Sequence, residues 1–395
     1  MWKSFRIGSV FGIPLKLDVT FLLILPVFAF IIGLQITEVT EILNLSFDAG
    51  IDIEHVSGDL ERWVLGFAAA IGLFVGVILH ELGHSLVAQR YDYPVDSITL
   101  WLLGGIASFT ELPEDWRQEF GIAIAGPIVS VLVGILSFGL FVITPALSDW
   151  FSPATLDGML FVFSYLAILN IFLAVFNMLP AFPMDGGRIL RALLARNRPF
   201  AKATQQAASI GRIFAILFGL FGLLVFNIIL IALAFFIYIA ASGEEQHVLL
   251  KAAFEDVTVG EIMTPRGELR TVTPETTLEE LNQRMFRERH TGYPVLADDE
   301  LVGLVTLEDV QRKQPGASGA NAVEGVMTRD LKTVESSAPV MDAIQQMQRE
   351  GIGRLLVVDD GQLTGIISRT DVMRSLEIIQ QSGPIARTEI EIPTP

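Results

Sequence analysis

Long apolar runs broken by short polar stretches dominate the first 243 residues, and a shorter apolar and polar alternation governs the remaining 152. A bilayer core of roughly 30 Å takes about 20 apolar residues of helix to cross. Residues 19–36 form one such run, and 63–79 form a second that continues into His80-Glu81-Leu82-Gly83-His84. Two more, 120–143 and 159–179, carry no charge at all. The last, 213–241, is too long for one comfortable crossing, about 50 Å if helical from Ala207. It reads as two short helices turning near Asn227, which gives six spans. The pattern predicts an α-helical integral membrane protein of about six transmembrane helices, followed by a soluble α/β region.

Composition sharpens that division. Charged residues are 18% of the 395, below the roughly 25% of a soluble globular chain. The formal net charge of -17 argues against nucleic acid as a partner, and Cys 0 excludes a disulfide framework and thiolate chemistry. Residues 1–243 hold 18 acidic and 12 basic side chains, so the remaining 152 residues hold the other 26 acids and 15 bases. Lys3, Arg6 and Lys16 precede the first span, and Arg188, Arg191, Arg196, Arg198 and Lys202 follow the fourth with no acid among them. Residues 38–62, between the first two spans, carry seven acids and one base. The basic flanks place the N-terminus and the soluble region in the cytoplasm of a multi-pass cell-membrane protein. The first span has no small-residue cleavage site after a short apolar core, so it reads as an anchor.

Ionisable side chains at membrane depth are costly and point to function. His80 and His84 stand at i and i+4 on one helix face, where both imidazoles reach one metal ion, and Glu81 lies beside it to accept a proton from water. Two histidines hydrogen-bonded in a helix bundle are the bland alternative, but nothing else in that run is polar enough to satisfy them. Catalytic zinc usually takes three protein ligands. His55 falls in an outside loop, and His247 and His290 fall in the soluble part, where each reads as an ordinary residue. A carboxylate is therefore expected as the third ligand. Asp185 is the candidate, in Asn177-Met-Leu-Pro180-Ala-Phe-Pro183-Met-Asp185-Gly186-Gly187-Arg188, a stretch that by itself would read as a plain helix stop and loop. His80 lies about 26 Å along its helix from Trp63, and the fourth span reaches the same level at Leu179 before its prolines stop it. Gly186 and Gly187 then allow close approach to another helix.

These residues resemble the site-2 protease family of intramembrane zinc metalloproteases, through the histidine motif, residues 177–187 and Gly104-Gly105. The resemblance spans roughly residues 11–242. It implies zinc, one per chain, on His80, His84 and Asp185, with Glu81 as catalytic base. It also implies that Asn177 polarises or holds substrate. No PDZ insert separates the spans. Residues 95–112 are rich in strand formers around Gly104-Gly105 and read as a β-hairpin or re-entrant loop able to hold an extended substrate by edge pairing; a short amphipathic helix is the alternative.

Residues 255–377 repeat internally. Ile262-Met-Thr-Pro265 recurs as Val326-Met-Thr-Arg329, and Gly303-Leu-Val-Thr306-Leu-Glu-Asp309-Val310 recurs as Gly365-Ile-Ile-Ser368-Arg-Thr-Asp371-Val372. Each copy reads strand, helix, strand, strand, helix, with 277–288 helical and 292–297 and 301–306 as strands. The pattern resembles a tandem of CBS domains, copies 255–313 and 320–380 within a domain 244–395, joined by a flexible 314–321. That resemblance implies an adenine nucleotide between the copies, with Asp309 and Asp371 on ribose hydroxyls and Thr306 and Ser368 near phosphate. The alternative is a homodimerisation module in which both aspartates cap helices. Taken together, residues 1–243 read as an intramembrane metalloendopeptidase domain acting on a transmembrane protein substrate within the lipid bilayer. A CBS-regulated transporter or channel is the second reading. Glu81 separates the two, since cation transport does not require a base beside two ligands.

Overall fold

The computed structural model describes residues 4–101, 104–109, 113–312 and 321–382. Lys3, the end of the predicted hairpin segment (110–112), most of the predicted joint (314–320) and the tail after Ser382 lie outside the described residues. Contacts divide the chain into two units, Met1–Gln246 and His247–Pro395.

The first unit opens with two strands, β1 (Ser4–Val10) and β2 (Ile13–Asp18), that the apolar-run reading passed over. Their signal is in the sequence. Ile13, Leu15 and Leu17 alternate with Pro14, Lys16 and Asp18, and Phe11 and Gly12 both take positive φ, at 50° and 81°, as a two-residue hairpin turn requires. α1 (Val19–Leu34) and α2 (Ile36–Phe47) come next, and the chain bends by 64° between them, so the first predicted span is broken rather than straight. The Asp18 side chain caps α1 through the Thr20 amide. α3 (Ile53–Val56) is one turn, and α4 (Glu61–Arg90) is a 30-residue helix carrying the His80–His84 motif.

β3 (Val95–Trp101) and β4 (Gly104–Phe109) form the expected hairpin, in register Trp101↔Gly104 to Val95↔Phe109. The sheet order is β1-β2-β3-β4, with β2 and β3 parallel, so among the described residues β4 is a terminal strand with one unpaired edge. Ile13 and Ile98 pack with Leu82 and Ile78, which fixes the sheet against the motif helix. α5 (Trp116–Ile143) is capped by Asp115, and α6 (Pro153–Asn177) starts on Ser152 with proline at its first position. The chain then turns sharply into α7 (Asp185–Ala195). A Cβ on Gly186 would come within 2.3 Å of the Met178 and Leu179 carbonyl oxygens, so only glycine lets α7 begin this close to the end of α6.

α8 (Phe200–Leu224) and α9 (Ile228–Ala253) replace the long last run, and the Asn227 side chain caps α9 through the amides of Ile229 and Leu230. The break falls where the length of the apolar run placed it. Both helices are longer than expected, because polar flanks on each side join them. Among the described residues five helices, α4, α5 with its continuation to Leu147, α6, α8 and α9, are long and apolar enough to cross a membrane, or six if α1 and α2 count as one span. Leu23, Leu136, Phe172, Leu217 and Phe235 are exposed on these helices, as side chains facing lipid would be.

The second unit holds α10 (Val259–Ile262), β5 (Thr264–Pro265), α11 (Leu278–Glu288), β6 (Gly292–Ala297), β7 (Glu300–Thr306), α12 (Leu307–Arg312), β8 (Thr333–Val334), α13 (Val340–Arg349), β9 (Arg354–Asp359), β10 (Gln362–Ser368) and α14 (Arg369–Ser382). The two copies exchange their leading segments. β5, from the first repeat, pairs with β10 of the second in the order β5-β10-β9-β8, and Phe254 and Val259 sit in the core of Val340, Leu355 and Val357. Reciprocally, Thr328 of the second repeat bridges to Leu304 of β7, and Val323 completes the core of Val272, Leu281 and Val305. The repeat in sequence and the packed unit are therefore out of phase by one segment.

Candidate active site

His80, His84 and Asp185 come together from α4 and the first turn of α7. His80 Nε2 and His84 Nε2 are 3.2 Å apart, and each lies 3.1 Å from the Asp185 Oδ2. All three are buried. The other ring nitrogens are held from α5. His84 Nδ1 lies 2.7 Å from the Ile122 carbonyl oxygen, which can only accept, so the proton sits on Nδ1 and Nε2 presents a lone pair. His80 Nδ1 lies 2.8 Å from Ser130 Oγ, and a hydroxyl accepting there leaves the second Nε2 bare as well. Two imidazole lone pairs and a carboxylate oxygen then converge in a buried place, where they repel unless a cation stands among them. The donor set, two imidazoles and one carboxylate, suits zinc.

Gly126 of α5 makes room for this cluster. A Cβ there would lie 2.2 Å from His84 Nε2 and 2.8 Å from His80 Nε2. Sequence spacing found the three ligating candidates and Glu81. It missed Ser130, the Ile122 carbonyl and Gly126, which reach the histidines from 38 to 50 residues away, a separation that no short motif spans.

Glu81 and Asn177 line a cavity of about 420 Å³ together with the three residues above. Its other walls include Trp101, Gly104 and Gly105 of the hairpin, Leu173 and Phe176 of α6, Leu233 and Phe236 of α9, and Arg188. The Glu81 side chain lies against Gly105. Asn177 spends one amide hydrogen on the Leu173 carbonyl, at 3.0 Å. All seven residues expected at the protease site therefore border one cavity.

Residues 68–219 match the description of peptidase family M50, and residues 259–316 and 323–378 each match the CBS domain. A zinc metalloprotease of Methanocaldococcus jannaschii is 35% identical over 377 residues, covering 95% of this chain and 97% of that protein. The chain belongs to the site-2 protease family. This site-2 protease is a multi-pass membrane metalloprotease with a tandem CBS region. It is also 31% identical to Rip3 of Mycobacterium tuberculosis, a protein named for the same activity, over 82% of this chain and 83% of that one. A solved site-2 protease from Methanocaldococcus jannaschii is 37% identical, covers 62% of this chain and 95% of its own, and superposes with a TM-score of 0.40.

α7 of the protease unit is anchored beyond Asp185 by Arg191. Its guanidinium is 1% exposed, donates to Glu119 of α5 at 2.6 Å and Glu244 of α9 at 2.5 Å, and stacks over Phe182 and Phe200. The sequence pattern marked Arg191 only as an orientation signal.

In the CBS unit, Thr306 and Asp309 border a second cavity, of about 580 Å³, with Thr291, Thr328, Asp330, Lys332 and Arg354 from both repeats. Asp309 Oδ2 accepts from the Thr306 amide at 2.8 Å and its hydroxyl at 2.6 Å, and the Asp309 amide faces the Thr306 hydroxyl. Ser368 and Asp371 repeat that capping geometry but do not line this cavity. The helix-capping role weighed for both aspartates is thus realised, and the two positions differ in what surrounds them. Burial pushes the Arg354 guanidinium below its usual pKa, partly offset by Asp371. His55 is no free surface residue, since its Nδ1 lies 2.5 Å from Asp157 of α6.

Proposed function

We propose that this site-2 protease is an intramembrane endopeptidase that cuts transmembrane segments near their cytoplasmic end. The observation that carries the reading is one apolar-walled cavity bordered by His80, His84 and Asp185 on one side and by Glu81 and Asn177 beside them. His80, His84 and Asp185 would hold zinc, which when bound acidifies a water and polarises a peptide carbonyl. Glu81 takes the proton of the attacking water and returns it to the leaving amine nitrogen as the peptide bond breaks. The Ile122 carbonyl and Ser130 keep both imidazoles in the ligating tautomer throughout. The free edge of β4, at Gly104 and Gly105, pairs with a substrate that has unwound locally, which supplies the backbone hydrogen bonds it lost. Asn177 holds a substrate polar group with its remaining amide hydrogen.

The basic residues beside the first and fourth spans support an N-terminus and CBS pair in the cytoplasm. The cavity bordered by Thr306 and Asp309 supports adenine nucleotide binding, with Lys332 and Arg354 as the cations a phosphate would meet. Purified enzyme in lipid vesicles, given a labelled transmembrane peptide, tests the reading. Mass spectrometry should find one or a few cuts within the last turns of the apolar segment on the cytoplasmic side. A chelator should stop cleavage and added zinc restore it. Cleavage confined to soluble flanks would refute the intramembrane site.

A further inference from the structure

We infer that Arg188 binds the substrate backbone in the catalytic cavity, donating to carbonyl oxygens on the edge of the unwound segment that β4 leaves unpaired. The inference rests on the edge-pairing reading and adds to it a second, named wall. Arg188 lies three residues beyond Asp185 on α7, so both lie on one face, and both border the cavity with Glu81 and Gly105.

Its neighbours show why it stands apart. Arg191 is ion-paired with Glu119 and Glu244, Arg196 lies over the Trp116 ring, Arg198 donates to Gln206, and Arg212 pairs with Glu245. Arg188 alone among these five arginines has no hydrogen-bond, ion-pair or ring partner within the described residues; Glu119, already paired with Arg191, attracts it only at longer range, and it is only partly exposed. A guanidinium carries five donors in a rigid fork, and those of Arg188 are left available on the wall of the cavity that Glu81 and Asp185 also border. With Glu81 and Asp185 at -1 each and a divalent ion at +2, Arg188 brings the formal charge of the cavity to +1. That favours an acceptor with partial negative charge over another cation.

An extended chain supplies such acceptors. When one edge pairs with β4, alternate carbonyls point the other way, where the membrane offers no water to satisfy them. Asn177 has one amide hydrogen already committed, so Arg188 is the richest donor left on the cavity wall.

The test measures kcat, KM, zinc per chain and melting temperature for wild type, R188K and R188Q, in neutral and in anionic vesicles. The expected result for R188Q is a KM raised about ten- to a hundredfold at nearly unchanged kcat, since a hydrogen bond to a charged group made before the reaction is lost. R188K should fall between, and zinc content and melting should match wild type. Unchanged KM in R188Q overturns the proposal, as does a lower kcat at unchanged KM, which would put Arg188 on the reacting carbonyl. Loss of zinc or of folded protein in both variants assigns Arg188 to the scaffold and also overturns it. An effect confined to anionic vesicles assigns it to lipid headgroups instead. N-methylated substrate peptides test the underlying edge pairing separately. If methylation has no effect while R188Q still raises KM, the strand edge fails and the arginine contact stands.

Discussion

Gly126→Ala tests the metal centre with a single methyl group. The added Cβ would lie 2.2 Å from His84 Nε2, 2.6 Å from its Cε1 and 2.8 Å from His80 Nε2. Relieving the first contact to about 3.4 Å moves the His84 ring by more than 1 Å, whereas zinc ligation tolerates about 0.2 Å. Neither imidazole is free to swing, because Ile122 and Ser130, one turn to either side of Gly126 on the same helix, hold their far nitrogens. Rigid placement turns a small volume into a large loss, and zinc affinity should fall by at least a hundredfold, beyond the 10–100-fold seen when only an outer partner is removed. The helix itself should gain up to about 1 kcal/mol, since alanine is the better helix former. G139A, on the same helix with nothing within 4 Å of its added Cβ, is the matched control. Zinc per chain after dialysis against a competing chelator, with melting of the metal-free proteins, is the assay. G126A should lose zinc and cleavage while folding as well as G139A. Zinc retained at wild-type affinity in G126A would refute the proposed cluster.

Three more substitutions probe the same structure. Ser130→Ala removes the partner of His80 Nδ1 and should weaken zinc by about 10–100-fold, read by chelator competition, with little change in melting of the metal-free protein. Arg191→Ala leaves Glu119 buried without its partner and should destabilise the protein by about 3–5 kcal/mol in denaturant titration, more than alanine at the exposed Arg196 or Arg198. His55 is held above its ordinary value of 6.5 by its hydrogen bond to Asp157, with Asp52 and Glu54 adding to the effect. A raised folded pKa stabilises fully below about 6.5 and is lost as pH climbs through the folded value. The melting advantage of wild type over H55Q should therefore be largest near pH 5.5–6 and fade above neutrality, and a difference that grows with pH would contradict it.

Much of this was legible in the chain because the relevant information is local. His80, Glu81 and His84 share one helix face by covalent spacing alone, and Pro180, Pro183, Gly186 and Gly187 announce the turn that returns Asp185 to them. The break at Asn227 shows in the length of the apolar run. β1 and β2 were equally local and were missed because alternation over six residues is faint beside spans of twenty. Other features are tertiary. Ser130, the Ile122 carbonyl and Gly126 act on the histidines from another helix, and Arg188 is told apart from its neighbours only by their partners. The exchanged segments of the CBS pair are invisible to a repeat search, since sequence similarity marks the repeat and not which sheet receives its first strand.

In the proposed mechanism Glu81 moves the proton while His80, His84 and Asp185 hold the metal. The direct test is zinc stoichiometry and transmembrane-peptide cleavage by purified Glu81→Gln in vesicles. The variant should keep one zinc per chain with cleavage slowed by about 10²–10⁴-fold. Cleavage at a rate close to wild type, with zinc still bound, would contradict it.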